Sequence, residues 1–258
     1  MTNLRHIAAL VLSAATLVAC GDNGQTIITA PAPSAQILFF NEGLNAPGVN
    51  FYADTTKLTA TLSSSGTVST VGTGYGQIAA GGYYTGINPG QYNLTAHTSD
   101  STNTIIGSVA QTIATGKAYS YYLSGPYDAT AKKVADAWVV EDAIPATYDY
   151  TVGNVRFVNA IYNSTPGTVT LVNNDTTIKP TPAPVTLGSA VAYKTAGAFT
   201  KVPPGTYTVT VTGLGTGSVV GSIAVAGGHY YTLTAHGDMT VTSSKATNFP
   251  KVDVAQNR

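Results

Sequence analysis

The chain repeats itself, and a repeat of whole-domain length limits the fold to something that can be built twice. Ile37-Leu38-Phe39-Phe40-Asn41 corresponds to Val155-Arg156-Phe157-Val158-Asn159, at an offset of 118 residues. Pro89-Gly90-Gln91-Tyr92-Asn93-Leu94 corresponds to Pro204-Gly205-Thr206-Tyr207-Thr208-Val209, at an offset of 115. Gly107-Ser108-Val109-Ala110 matches Gly221-Ser222-Ile223-Ala224 at 114, and Gly116, Tyr119 and Gly125 match Gly228, Tyr231 and Gly237 at 112. Four blocks in one order, drifting by a few residues, mark a tandem duplication. The period is too long for a solenoid and suits a whole domain.

Each copy reads as β. Tyr207, Val209 and Val211 alternate with Thr206, Thr208, Thr210 and Thr212, the period of two expected of a half-buried strand. Tyr231, Leu233 and Ala235 alternate with Thr232 and Thr234, and Val169 and Leu171 with Thr168 and Thr170. Turn signals recur at Ala46-Pro47-Gly48, Asn88-Pro89-Gly90, Pro203-Pro204-Gly205 and Gly227-Gly228. Short strands at that spacing predict sandwiches. Pro-Gly-x-Tyr makes a tight turn, then sends a tyrosine into the strand with its ring buried and its hydroxyl free to bond backbone. Similar entries occur in transthyretin-like sandwiches. The expected fold is all-β: two tandem Ig-like or transthyretin-like antiparallel β-sandwich domains behind a lipoprotein signal peptide.

Ahead of the repeats, Arg5 and His6 precede an uncharged stretch from Ile7 to Ala19. It is too short to span a bilayer, which needs about 20 residues, and reads as a secretory signal. The run Leu17-Val18-Ala19-Cys20 ends on the chain's single cysteine and resembles the lipobox of bacterial lipoproteins. That resemblance implies diacylglycerol on the Cys20 thiol and cleavage before it. One acyl chain holds only marginally at about 0.8 kcal/mol per methylene, so anchors of this type carry two or three. Gly21, not aspartate, follows the cysteine, which favours the outer membrane in a host that has one. The expected boundaries are a signal peptide at 1–19, a tether at 20–34 and a first domain at 35–144. A linker at 145–153, a second domain at 154–247 and a polar, frayed tail at 248–258 follow. Fully extended, the tether reaches roughly 45 Å.

Charged residues make up 9% of the chain, with 12 Lys+Arg against 12 Asp+Glu. There is no basic field for nucleic acid. The expected partners are the membrane, through the N-terminal lipid, and a glycan or envelope protein.

Catalytic patterns are absent from the sequence. There is no nucleophile elbow of the Gly-x-Ser-x-Gly kind. The glycine runs Gly72-Thr73-Gly74 and Gly213-Leu214-Gly215 precede no helix, so they make no phosphate loop. Glu42, Glu141 and Asp142 are the main candidates for an acid pair. Glu141 and Asp142, before Pro145, read as a solvated strand end. His229, His236 and Asp238 could suggest a metal, but the two histidines flank a strand and stand roughly 23 Å apart. His97 and Asp100 read as loop polarity. No catalytic residue, metal or cofactor is expected, and the chain is not expected to be an enzyme. The binding candidates are Tyr83, Tyr84, Tyr121 and Tyr122. Of two adjacent strand tyrosines such as Tyr121 and Tyr122, one must point outward, and exposed rings stack on sugars or anchor proteins. The alternative reading is an envelope hydrolase or a carbohydrate-binding accessory protein.

The repeats open on Phe39-Phe40-Asn41-Glu42 and Phe157-Val158-Asn159-Ala160. Each continues through a central Tyr75 or Tyr193, then Pro-Gly-x-Tyr, a glycine-rich turn and a tyrosine-rich strand. This order resembles the bacterial domain-of-unknown-function family DUF4397, found in secreted proteins and lipoproteins and often in tandem. The resemblance spans nearly all of 35–245 and implies fold and location, not an activity. Members often carry a histidine after the first strand, where this chain has Asn41 and Asn159, and an acidic residue after the Pro turn that is missing here. Any site those residues make in relatives is lacking in this chain.

Overall fold

The computed structural model describes residues 34–60, 65–145, 147–177, 182–215 and 217–257. The first repeat contributes nine strands: β1 (Ala35–Leu44), β2 (Val49–Ala53), β3 (Thr56–Lys57), β4 (Gln77–Ile78), β5 (Thr85–Ile87), β6 (Gly90–Thr98), β7 (Ile105–Ile113), β8 (Ala118–Asp128) and β9 (Lys133–Asp142). The second contributes nine more: β10 (Gly153–Asn159), β11 (Thr168–Asn173), β12 (Val185–Thr186), β13 (Thr195–Ala196), β14 (Thr200–Val202), β15 (Gly205–Thr212), β16 (Val219–Val225), β17 (Tyr230–His236) and β18 (Lys251–Gln256).

The two sets have one topology. In the first repeat one sheet runs β4-β1-β8-β9 with β5 also on β1, and the other runs β3-β2-β6-β7. In the second the orders are β13-β10-β17-β18, with β14 on β10, and β12-β11-β15-β16. Inward residues fill the space between the paired sheets. Phe39, Phe51, Leu94, Tyr121 and Leu123 lie in the first core, and Phe157, Leu171, Val209, Tyr231 and Leu233 in the second. The alternation at Tyr207, Val209 and Val211 is realised as expected: all three are buried, and the Tyr207 hydroxyl donates to the Pro203 carbonyl at 2.8 Å.

Two details differ from the sequence reading. First, the sheets are not wholly antiparallel: β1 runs parallel to β8, and β10 parallel to β17. The chain leaves β1, builds the opposite sheet, and returns beside it, a crossover long enough for parallel pairing. Second, of the expected frayed tail at 248–258, the described residues 248–257 are ordered against the second repeat. β18 pairs with β17 from Tyr231↔Gln256 to His236↔Lys251, and Asn257 is buried. Val252 packs on the second core and Ala255 turns to the opposite face, so a short polar terminus still carries strand alternation. β18 occupies the place in its sheet that β9 holds in the first.

The link between the repeats is packed down. A Cβ on Gly227 would fall 2.0 Å from the Tyr150 carbonyl oxygen, a spacing only glycine allows. Among the described residues no helix is long and apolar enough to cross a membrane.

Candidate functional site at the seam between the repeats

The outward faces of sheets β4-β1-β8-β9 and β13-β10-β17-β18 meet. Leu38, Phe40, Tyr122 and Trp138 from the first repeat share one apolar cluster with Val158, Ala160 and Ala255 from the second. At its centre Phe40 stacks on Tyr122 at 4.4 Å between ring centroids, and Tyr122 on Trp138 at 4.5 Å. The central strands of the two sheets, β1, β8, β10 and β17, therefore have two buried faces, one in a sandwich core and one in the seam. That is why β10 and β17 are buried at every position.

The register of the two sheets makes equivalences explicit. Leu38 corresponds to Arg156, Ser120 to Thr232, Tyr122 to Thr234, Ser124 to His236, Trp138 to Asp253 and Asp142 to Asn257. Tyr75 corresponds to Tyr193. Contacts across the seam follow a pseudo-two-fold. The Tyr75 hydroxyl lies 3.3 Å from His236 Nδ1, and the Tyr193 hydroxyl lies 2.8 Å from Ser124 Oγ. The same surface of each repeat meets its counterpart, the isologous geometry of a homodimer.

Polar groups occupy both ends. At one end Asp142 and Arg156 form an ion pair whose side chains are 0% and 2% exposed. Asp142 also accepts from Ser120 at 2.8 Å and from the Tyr84 hydroxyl. The Arg156 Nε donates to Thr232 Oγ1 at 2.9 Å, Thr232 donates to Asn257, and Asn257 Nδ2 donates to the Tyr84 hydroxyl at 2.8 Å. The guanidinium also lies 4.9 Å over the Phe199 ring. Every charged atom in this ring of contacts is paired, the condition under which buried charge is tolerated. At the other end Glu42, 1% exposed, sits 3.3 Å from His236 Nδ1, while Nε2 faces Asp253 at 2.8 Å. Burial pushes the Glu42 carboxyl up to about 7, His236 pulls it back and Asp253 adds to the rise. For His236 burial acts to lower the value, but Glu42 and Asp253 outweigh it and the net direction is up.

Asp253, His236 and Tyr75 follow one another in a relay-like order. Burial, then the Glu42 and Asp253 charges, drive the Tyr75 phenol further above its ordinary value, away from a usable nucleophile or base.

The expected site residues fall as follows. Cys20 lies outside the described residues. Tyr83 is 76% exposed. Tyr84 belongs to the seam. Tyr121 points into the first core and Tyr122 into the seam, and both are fully buried. Neither ring reaches solvent, because the outward face of their sheet is covered by the other repeat. Asp142 is not a solvated strand end; only Glu141 is, paired with Lys117 at 2.7 Å. His229 bonds Gln256 and Asp238 bonds Thr240 and Asn163, so neither joins His236. Among the described residues no cluster of three or more His, Cys, Asp or Glu is placed to hold a metal ion. His97 stacks on Tyr52 at 4.1 Å, and Lys57 lies 5.6 Å over the same ring, which is left 9% exposed and offers no platform to a sugar. Asp100 caps its own loop through Thr98 and Thr102. Asn41 and Asn159 are matched structural ties: their amides donate to the Thr73 and Val191 carbonyls at 2.9 and 3.2 Å.

Arg156 is the functional residue that no sequence motif marks. A lone arginine between Val155 and Phe157, and Glu42 behind Phe39-Phe40, are charges inside apolar strand runs. In a chain so poor in charge, that pattern marks a second buried face.

Two stacked sandwiches of one topology define a duplicated β-sandwich protein. Residues 153–257, the second repeat, match the model of the family described as Domain of unknown function (DUF4397), the family that the sequence resembles. No curated protein matches the chain. Among solved structures, the family CBM26 module CBMbc of Eubacterium rectale Amy13K, in complex with maltoheptaose, is 11% identical with a TM-score of 0.24. The match covers 87% of this chain and 97% of that one. A candidate cell adhesion protein from Bacteroides ovatus ATCC 8483 is 10% identical with a TM-score of 0.26, covering 89% and 97%. Overlaps this low carry no structural argument, and the fold rests on the strand topology.

Proposed function

We propose that the chain is an exported envelope protein, anchored by lipid on Cys20, whose role is structural or adhesive rather than enzymatic. Its two repeats pack on one another through the seam. The observation that carries this reading is where the buried charge goes. Asp142, Arg156, Glu42 and His236 all point into the seam and join one repeat to the other. The chemistry of the chain is thus committed to holding a shape. The lipobox-like run supports the anchor, and Gly21 after the cysteine favours the outer membrane in a host that has one. The first repeat, sharing the topology of the second, is read as another copy of the same family domain.

A protein or glycan partner would be met on the exposed surface, where Tyr83 is the one of the four expected tyrosines still available. Cys20→Ala should abolish incorporation of labelled palmitate, and unchanged labelling refutes the anchor. Pull-down of envelope glycan and protein fractions should weaken with Tyr83→Ala. Turnover of an envelope polymer by the purified chain would refute the non-enzymatic reading.

A further inference from the structure

At the end of the seam away from Asp142–Arg156, the two pairs of positions related by the pseudo-two-fold are chemically unequal. At one pair of equivalent positions stand Ser124 and Ala160, neutral and small. At the other stand His236 and Glu42. The groups facing His236 come from every element around it: Glu42 from β1, Tyr75 from the segment before β4, and Asp253 and Lys251 from β18. Asp238, just past β17, adds its charge at Tyr75. Two carboxylates thus share one imidazole. While the Glu42–His236 pair holds a proton in addition to the neutral ring's own, it is either an ion pair or a neutral acid beside a neutral base. Once that proton leaves, Glu42 is an anion buried against a neutral ring, and a buried charge without a counter-charge is strongly destabilising.

We propose that Glu42 and His236 form a proton-dependent latch that closes one end of the seam and lets it open as the solution turns alkaline. The opposite end, held by Asp142–Arg156, needs no such proton and acts as the fixed side. The direction follows from linkage. Both groups hold their protons more tightly in the closed seam than in the open state, Glu42 up from 4.5 and His236 up from 6.5. Their stabilisation is complete below the ordinary values and is lost as pH rises through the raised ones. The window opens above 4.5 for Glu42 and closes at about 7, and extends upward from 6.5 for His236.

Trp138 is the chain's single tryptophan, lies in the seam, and is 8% exposed, so its accessibility to acrylamide reports opening. Between about pH 6 and about pH 9 the quenching constant of the purified chain should rise severalfold with the far-UV β signal unchanged. Glu42→Gln, whose amide needs no proton to remain neutral, should abolish the rise. Should that variant fail to fold, Asp253→Asn at the half-exposed end keeps the test alive. It removes a charge that holds the protons in place, so the midpoint should move to lower pH. Flat quenching in the unmodified chain would overturn the latch. So would an equal rise in Glu42→Gln, an unmoved midpoint in Asp253→Asn, or a rise that coincides with loss of the β signal.

Discussion

Arg156→Leu should be among the most damaging single changes in the chain. It strands the Asp142 carboxylate, which is fully buried, with only the Ser120 and Tyr84 hydroxyls for company. Removing one partner of a buried pair costs about 3–5 kcal/mol. For a body of this size that lowers the unfolding midpoint by roughly 10 °C. Asp142→Asn should cost a similar amount, by leaving the guanidinium with Thr232 and the Glu141 carbonyl. The pseudo-two-fold then says what the double variant should do. The positions equivalent to Arg156 and Asp142 are Leu38 and Asn257, so Arg156→Leu with Asp142→Asn installs the pair the other half of the seam already uses. Stability should return to within about 1–2 kcal/mol of the unmodified chain, the remainder being lost contacts of Arg156 with Phe199 and Thr232. The assay is a double-mutant cycle by urea unfolding, followed by circular dichroism and Trp138 fluorescence. The single costs sum to about 6–10 kcal/mol against about 1–2 for the double variant, so a coupling energy of at least about 4 kcal/mol is expected. Single effects that simply add, within about 0.5 kcal/mol, would refute the account of the ion pair as a mutually dependent unit.

Tyr121→Phe should leave the stability unchanged or raise it by up to about 1 kcal/mol, because the buried hydroxyl has no hydrogen-bond partner among the described residues; chemical denaturation checks it. Tyr122→Ala, which empties the place between Phe40 and Trp138, should cost about 3–5 kcal/mol and shift Trp138 emission to the red. Deleting residues from Lys251 onward removes β18 and bares the β17 edge, so the second repeat should lose hydrogen-exchange protection throughout. Lys117→Ala breaks a pair whose partners are 51% and 44% exposed, and the thermal midpoint should not move measurably.

The sandwiches were legible because each strand with one wet face announces itself by alternation. Thr206 to Thr212 shows this, and the structure follows it residue by residue. The seam was hidden for the converse reason. Strands buried on both faces lose alternation, and β8, with Tyr119, Ser120, Tyr121, Tyr122, Leu123 and Ser124 all buried, reads as an ordinary tyrosine-rich strand. Alternation predicts which side a residue faces, not what covers that side, so it points one of Tyr121 and Tyr122 outward without showing that the other repeat covers that face. β18 was missed on composition: Lys251, Asp253 and Gln256 look solvated, yet Asp253 faces His236 and the strand ends on buried Asn257. The parallel pairing of β1 with β8 is a long-range choice that leaves no local trace.

Duplication also explains why the seam holds charge as it does. In a homodimer with an isologous interface, any residue near the axis appears twice, so a buried carboxylate on one side brings a second one with it. Joining the copies in one chain removes that constraint. It also raises the effective concentration of one surface for the other, so the contact need not be strong enough to assemble from separate molecules. Each half can then change alone. Arg156 stands opposite Asp142 while their equivalents remain Leu38 and Asn257, and His236 meets Glu42 while their equivalents remain Ser124 and Ala160. At the apolar centre Phe40 and its equivalent Val158 stay hydrophobic across the axis, whereas Tyr122 and Trp138 stand opposite Thr234 and Asp253 in the alignment of the copies. At the polar ends the difference between the copies is one of charge. There one link survives from the symmetric state, with Tyr75 and Tyr193 each reaching across to the other repeat. An interface free to become asymmetric can hold one end by a permanent ion pair and the other by a proton, a combination closed to two identical halves.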